Sequence, residues 1–267
     1  MRNNYQIIAL SHAFIKKINL SFYENLVKKK KYKVTCIYPD KIKSNRKVIY
    51  PDFKKYKGKI KTIKCKLKNN SSRFFYFYKI KNYIVSEKPN IVVIDNDPVS
   101  IQSLIIIYYS FFYKYKICYF SNENNVRNIL IKFTVKKLIK LVLIYFINFI
   151  IRKKIYRIFC YSKQIKENYD FLGYKSKTFI MPLGFDEKIF YLPKKKKSFK
   201  KFIISYFGRI VKEKGIHVLI KSLKNFKNNN WKLLIDIDYI EDKIYFNNLI
   251  SDIKQNLKKK KFILIKA

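Results

Sequence analysis

The chain reads as an α/β protein built on parallel, doubly wound sheets. Three observations carry that expectation. Short apolar runs of strand length alternate with segments whose apolar residues recur at helical spacing. Turn-forming residues close the runs, as in Ser11-His12, Pro39-Asp40, Asp95-Asn96-Asp97-Pro98 and Gly208. With 267 residues, 49% of them apolar, there is material for one large core or two smaller ones.

Tyr5–Leu10 (YQIIAL) is the first predicted strand. Phe14–Val27 follows as a predicted helix, with apolar residues at Phe14, Ile18, Phe22, Leu26 and Val27. Lys33–Tyr38 is a second strand, and Ile60–Leu67 a weaker, alternating third. Phe74–Val85 suits a helix, and Pro89 then introduces Ile91–Ile94 (IVVI), a short buried strand. Val99–Phe112 reads as a very apolar helix and Lys116–Phe120 as another strand. Strand, helix and strand in repetition is βαβ arithmetic, and a parallel sheet is its economical solution. Asp95 and Asp97 form a candidate carboxylate pair at a strand end, although N-capping ahead of Pro98 also explains one of them.

Leu141–Ile151 (LVLIYFINFII) is apolar at every position but Asn148. Eleven helical residues span about 16 Å, against a hydrocarbon core of about 30 Å, so the run is too short to cross a bilayer. Two readings stand: a buried core helix with basic ends, or an anchor lying on an anionic membrane face.

In the second half, Ile155–Tyr161 is a strand, and a helix over Lys163–Leu172 stops at Gly173. Pro193 and Lys194–Lys197 mark a solvated linker. The strand Lys201–Phe207 (KFIISYF) and a helix from Ile216 follow, the helix with apolar residues at Ile216, Leu219, Ile220 and Leu223. Trp231–Ile237, a helix near Lys243–Lys254 and the strand Lys261–Ile265 complete the pattern. The expected division is residues 1–182 and 183–267. Four of the five glycines (Gly173, Gly184, Gly208 and Gly215) fall in this region, which suggests positions where a side chain does not fit.

The stretch Tyr206–Gly215 (YFGRIVKEKG) organises this half. A strand ends at Gly208, a basic turn follows, and a helix starts near Gly215. Loops at the carboxyl ends of parallel strands are where open α/β sheets bind ligands. A helix N-terminus there offers unpaired N–H groups to an anion. Arg209 adds a planar fork for phosphate and Lys214 a mobile point charge. The pieces suit a diphosphate, while a solvated turn in a Lys-rich chain is the plain alternative.

The string FGRIVKEKGIHVLIKSL resembles the donor-binding loop of family-4 retaining glycosyltransferases, which have the GT-B fold of two Rossmann-like domains facing across a cleft. Pro89–Asn125 resembles the middle of that family's N-terminal domain, and Thr178–Asp186 with Phe190 the segment leading into the donor domain. The resemblance implies transfer of a sugar from a nucleotide-diphosphate-sugar donor to a glycan or lipid-linked acceptor, with retention. Arg209 and Lys214 then hold the donor diphosphate and stabilise the leaving group. Gly184 and Gly208 give backbone access to the phosphates, and Glu123 or His12 faces acceptor or sugar. Capping of the next helix also explains Glu123, and a structural role also explains His12. No cofactor and no metal are implied beyond the donor itself. The family's Glu-x7-Glu motif and its final helix are absent before Ala267. The second domain is therefore expected to be truncated, and the alternatives to an active enzyme are a degenerate fragment or a non-catalytic basic protein that binds anionic membrane or nucleic acid.

The formal charge of +43 invites a nucleic-acid reading. Its distribution argues otherwise, because the lysines spread over the whole length and only 7 of 60 basic residues are arginine. Contact with nucleic acid is expected to be non-specific only, and contact with anionic membrane peripheral. Cys36, Cys65, Cys118 and Cys160 sit in strand-like runs without CxxC spacing, remote from both histidines, so buried free thiols in a reducing cytoplasm are expected. The N-terminus moves straight into strand-like residues, with no signal peptide expected.

Overall fold

The structure is a computed structural model of the chain. It describes residues 5–43, 48–69, 74–122, 135–185, 187, 191, 201–226, 230–237, 240, 242–256 and 262–265. In the helix over 135–151 it describes the side chains of 142, 143 and 145–151. The chain divides into two compact units, Met1–Phe190 and Tyr191–Ala267.

The N-terminal unit begins with β1 (Tyr5–Leu10), α1 (Ser21–Val27) and β2 (Tyr32–Pro39). The antiparallel pair β3 (Ile42–Lys43) and β4 (Val48–Ile49) precedes β5 (Lys61–Cys65). A second antiparallel pair, β6 (Leu67–Lys68) and β7 (Tyr76–Phe77), leads to α2 (Ile80–Glu87), β8 (Ile91–Asp95), α3 (Ile101–Tyr109) and β9 (Lys116–Ser121). Next come α4 (Val135–Ile151), β10 (Ile155–Cys160), α5 (Lys163–Tyr169) and β11 (Thr178–Ile180). The main sheet has the order β11-β10-β9-β8-β1-β2-β5, and every neighbouring pair is parallel. A sheet covered on both faces needs strands that are apolar on both faces. In β1, Ile8 and Leu10 enter one core with Val92, Ile94, Ile117 and Tyr119, while Ile7 and Ala9 enter the other with Val34, Cys36 and Cys118.

The C-terminal unit repeats the logic on a smaller scale. It runs β12 (Phe202–Tyr206), α6 (Ile216–Lys224), β13 (Trp231–Asp236), α7 (Lys243–Asn256) and β14 (Phe262–Ile265), with the parallel order β12-β13-β14. The apolar stripe of α6 (Ile216, Ile220 and Leu223) packs with Trp231, Leu233, Ile235, Leu249 and Ile253.

The structure corrects several expectations. Phe14–Val27 is not one helix: short 3-10 turns over His12–Ile15 and Lys17–Leu20 precede α1. Lys16 is extended between them, and the Lys17 N–H goes to Asp52 Oδ1 at 2.8 Å rather than up a helix. A long-range carboxylate takes the donor that a continuous helix needs. Phe74–Val85 is likewise split. Its aromatics bury alternately, Phe75 and Phe77 inward and Tyr78 outward, a period of two that suits β7. The Phe77 N–H donates to Gln102 Oε1 at 2.7 Å, and α2 starts only after the left-handed Lys79. The cap of α3 is Ser100, whose Oγ accepts from the Ser103 N–H at 3.3 Å, not an aspartate before Pro98.

A fourth correction concerns α4. It is not a fully buried core helix. Asn148 and Ile151 are buried and Ile147 half-buried, whereas Val142, Leu143, Tyr145, Phe146, Phe149 and Ile150 are exposed. Asn148, the one polar residue of the run, faces inward and its Oδ1 accepts the Tyr174 hydroxyl at 2.8 Å. Among the described residues no helix is long and apolar enough to cross a membrane.

Candidate functional site

The order of the main sheet reverses direction between β1 and β8, the place where such sheets leave a crevice beyond their carboxyl ends. Ser11 follows β1 and Asp95 closes β8, and the Ser11 hydroxyl donates to Asp95 Oδ2 at 2.7 Å. The same Ser11 oxygen accepts the Ala13 N–H at 3.0 Å, so it caps the turn that begins with His12. The Tyr161 hydroxyl reaches the other Asp95 oxygen at 3.4 Å. Burial, with the Asp95 charge added, raises the Tyr161 phenol far above its ordinary value and keeps it a donor. Asp97 is engaged in parallel: the Ser121 hydroxyl donates to Asp97 Oδ1 at 2.7 Å and lies 2.8 Å from the Tyr169 hydroxyl.

These contacts place the sequence-predicted residues of this unit. His12 sits beside Asp95 on the capped turn, its ring edge-on to Phe75 at 5.2 Å. Desolvation by the surrounding chain lowers its pKa, and the Asp95 charge opposes that shift without cancelling it. His12 is nonetheless exposed to solvent, which screens the Asp95 charge. Glu123 lies outside the described residues, two positions beyond Ser121. Among the described residues nothing stands within 4 Å of where a Cβ at Gly184 would be, and Gly184 lacks a positive φ. The expectation that no side chain fits there is corrected, because no described residue stands close enough to exclude one.

In the C-terminal unit, β12 ends at Tyr206, whose hydroxyl donates back to the Arg209 carbonyl at 2.8 Å. That bond closes a turn through Gly208, held at φ 147°, where an L side chain is strained. Ile210 is fully buried and pins the turn, while Arg209 stays exposed. A 3-10 turn over Lys212–Lys214 then leads into Gly215 at φ 71°, whose N–H donates to the Lys212 carbonyl at 3.1 Å. Lys214 is exposed, and α6 starts at Ile216 with no side chain capping it. Gly208, Arg209 and Lys214 therefore share one turn at the carboxyl end of β12. Sequence reasoning missed Tyr245 from α7, whose hydroxyl accepts the His217 N–H at 3.3 Å and lies 2.8 Å from His217 Nδ1. One of the first-turn donors of α6 is thus already engaged.

The serines and tyrosines around Asp95 and Asp97 were also hidden, since Ser at a strand end looks like an ordinary turn former. A cavity of about 320 Å³ lies along α6 and α7, lined by His217, Ile220, Lys221, Lys224 and Asp252. All five of these residues belong to α6 and α7. Cys36, Cys65, Cys118 and Cys160 are free and buried, and burial pushes the Cys65, Cys118 and Cys160 thiols up to about 11. Among the described residues no group of three or more His, Cys, Asp or Glu is placed to hold a metal ion.

No protein-family model matches the chain, and no curated protein does. Solved structures do. HepE of Anabaena, in complex with UDP and glucose, is 13% identical with a TM-score of 0.61, over 98% of this chain and 70% of that one. A glycosyltransferase from Rickettsia africae is 13% identical with a TM-score of 0.61, over 99% and 68%. A putative UDP-N-acetylglucosamine 2-epimerase from Listeria monocytogenes is 11% identical with a TM-score of 0.52, over 98% and 69%. Neighbours with different described activities share one fold, and a fold does not by itself choose a reaction. At these identities the likeness shows architecture alone: two Rossmann-like α/β units of the GT-B fold.

Proposed function

We propose that this protein is a glycosyltransferase that takes a sugar from a nucleotide-diphosphate donor, with retention, and passes it to a glycan or lipid-linked acceptor. The observation that carries the reading is the turn between β12 and α6, which holds Arg209 and Lys214 exposed at a parallel-strand carboxyl end. Arg209 grips the diphosphate through its planar fork and Lys214 neutralises charge that grows as the sugar leaves. Gly208 lets the backbone approach the phosphates, and Gly184 serves likewise. His12, exposed and beside Asp95, faces acceptor or sugar, as does Glu123. One neighbour supports the choice of donor: HepE was solved with UDP and glucose and with UDP-glucose. Four unpaired thiols suit a reducing cytoplasm.

The test is a calorimetric titration of UDP into the parent chain, Arg209→Ala and Lys214→Ala. We expect saturable binding by the parent and a loss of about tenfold or more with Arg209→Ala, the scale of one charge-assisted bidentate contact. Equal affinity in parent and Arg209→Ala would remove the diphosphate role and the transferase reading with it.

A further inference from the structure

We infer that the outer face of α4, joined to the C-terminal end of α3, is a docking surface for an anionic lipid bilayer. Phe146 and Phe149 are 61% and 58% exposed, in line with exposed Val142, Leu143 and Ile150 on the same helix. The end of α3 adds Tyr108, Phe111 and Phe112, the two phenylalanines 65% and 66% exposed. Lys154, three residues beyond α4, links the two elements, its ammonium 3.9 Å from the Phe111 ring centroid. Arg152 lies 5.3 Å from the Phe149 ring, so the last turn of α4 also ends in a cation seated on an aromatic. Contiguous exposed apolar surface of this kind marks an interaction site.

Charge selects the occupant. Between Asp97 and Glu167 the chain holds one acidic residue, Glu123, while Arg152 and Lys154 sit on the Phe149 and Phe111 rings, with Lys153 between them in sequence. Apolar side chains with cations at their margin match an anionic bilayer, whose headgroups attract Lys and Arg while the rings enter the acyl boundary. The helix cannot cross, so the protein lies on the surface. A second copy of this chain carries the same positive field and is repelled from this face. The inference does not depend on the transferase reading.

The test uses the full chain with vesicles of phosphatidylcholine, alone or mixed with phosphatidylglycerol. Phe146→Trp is the probe, with the parent chain, whose one tryptophan Trp231 is buried in the other unit, as the blank. The surface predicts a blue-shifted Phe146→Trp emission, quenched by lipids brominated in the acyl chains, on the mixed vesicles only. In co-sedimentation, Phe146→Ser with Phe149→Ser weakens partition by about tenfold or more per ring. Phe226→Ser, a comparably exposed ring on the other unit, leaves it unchanged. Circular dichroism of the variants, unchanged because these rings lie outside the core, confirms that folding is intact. Binding that disappears entirely at high salt with no quenching is charge adsorption alone and overturns the proposal. So does a concentration-dependent dimer abolished by the Phe146 and Phe149 changes in a chain that ignores vesicles.

Discussion

The carboxyl ends of the two sheets treat their charges in opposite ways. In the N-terminal unit, Asp95 and Asp97 turn inward and accept hydroxyls from Ser11, Tyr161 and Ser121. In the C-terminal unit, the backbone of residues 206–215 makes the shape, through Gly208, Gly215 and the Tyr206–Arg209 bond, and the cations point outward. The first arrangement fixes loops: Asp95 holds the turn of His12, and Asp97 holds the end of β9 two residues before Glu123. The second displays charge. Similar strand ends thus yield a hydrogen-bonded network in one unit and a turn with exposed cations in the other, depending on whether side chains or backbone carry the geometry.

The comparison breaks first at Asp95. Removing this carboxylate leaves the Ser11 and Tyr161 hydroxyls without their acceptor, at a cost of about 1–3 kcal/mol. Asp95→Ala should lower the unfolding free energy of the protein by that amount while UDP affinity stays at the parent value. A fall in UDP affinity without a stability change would mean that Asp95 contacts ligand and is no scaffold.

Glycine exchanges sharpen the other side. Gly215 is left-handed, and among the described residues nothing lies within 4 Å of where a Cβ would stand, so Gly215→Ala is penalised by backbone strain, about 1–2 kcal/mol. Gly184→Ala meets neither strain nor contact and should change stability by less than about 0.5 kcal/mol. Thermal denaturation of the pair reads the contrast directly. If Gly184→Ala lowers donor affinity at unchanged stability, the close approach proposed for that glycine gains support.

Much of this architecture was legible in the sequence, for a physical reason. Strands buried on both faces, such as YQIIAL and IVVI, are nearly continuous apolar runs, and few other structures tolerate them. The α6 stripe was equally plain. What escaped notice depends on distant partners: Asp52 takes the Lys17 N–H and ends a helix that spacing alone favours, and Gln102 takes the Phe77 N–H and favours a strand. Composition marked Leu141–Ile151 as apolar but could not say which of its faces was covered; Tyr174 on Asn148 decides that. At the candidate sites, the basic turn was visible as a string, whereas the hydroxyl partners of Asp95 come from strand ends far apart in sequence.

The smallest effect expected is a pH dependence. His12 has a lowered pKa in the folded chain, so the unfolded state binds more protons as pH falls through about 6.5. Stability should therefore be fully present above that window and decline below it. His12→Gln should flatten the decline in denaturation curves between neutral and mildly acidic pH; an unchanged slope would show that other groups set it.

The most direct test of the display turn is UDP titration at low and high salt with the parent, Arg209→Ala and Lys224→Ala, the last removing an exposed cation of the same unit that lines the helix-side cavity. A shaped diphosphate site predicts that Arg209→Ala loses about tenfold or more in affinity at both salt concentrations while Lys224→Ala follows the parent. Equal losses in the two variants, vanishing together at high salt, would show that the net charge of +43 and not the turn holds the nucleotide.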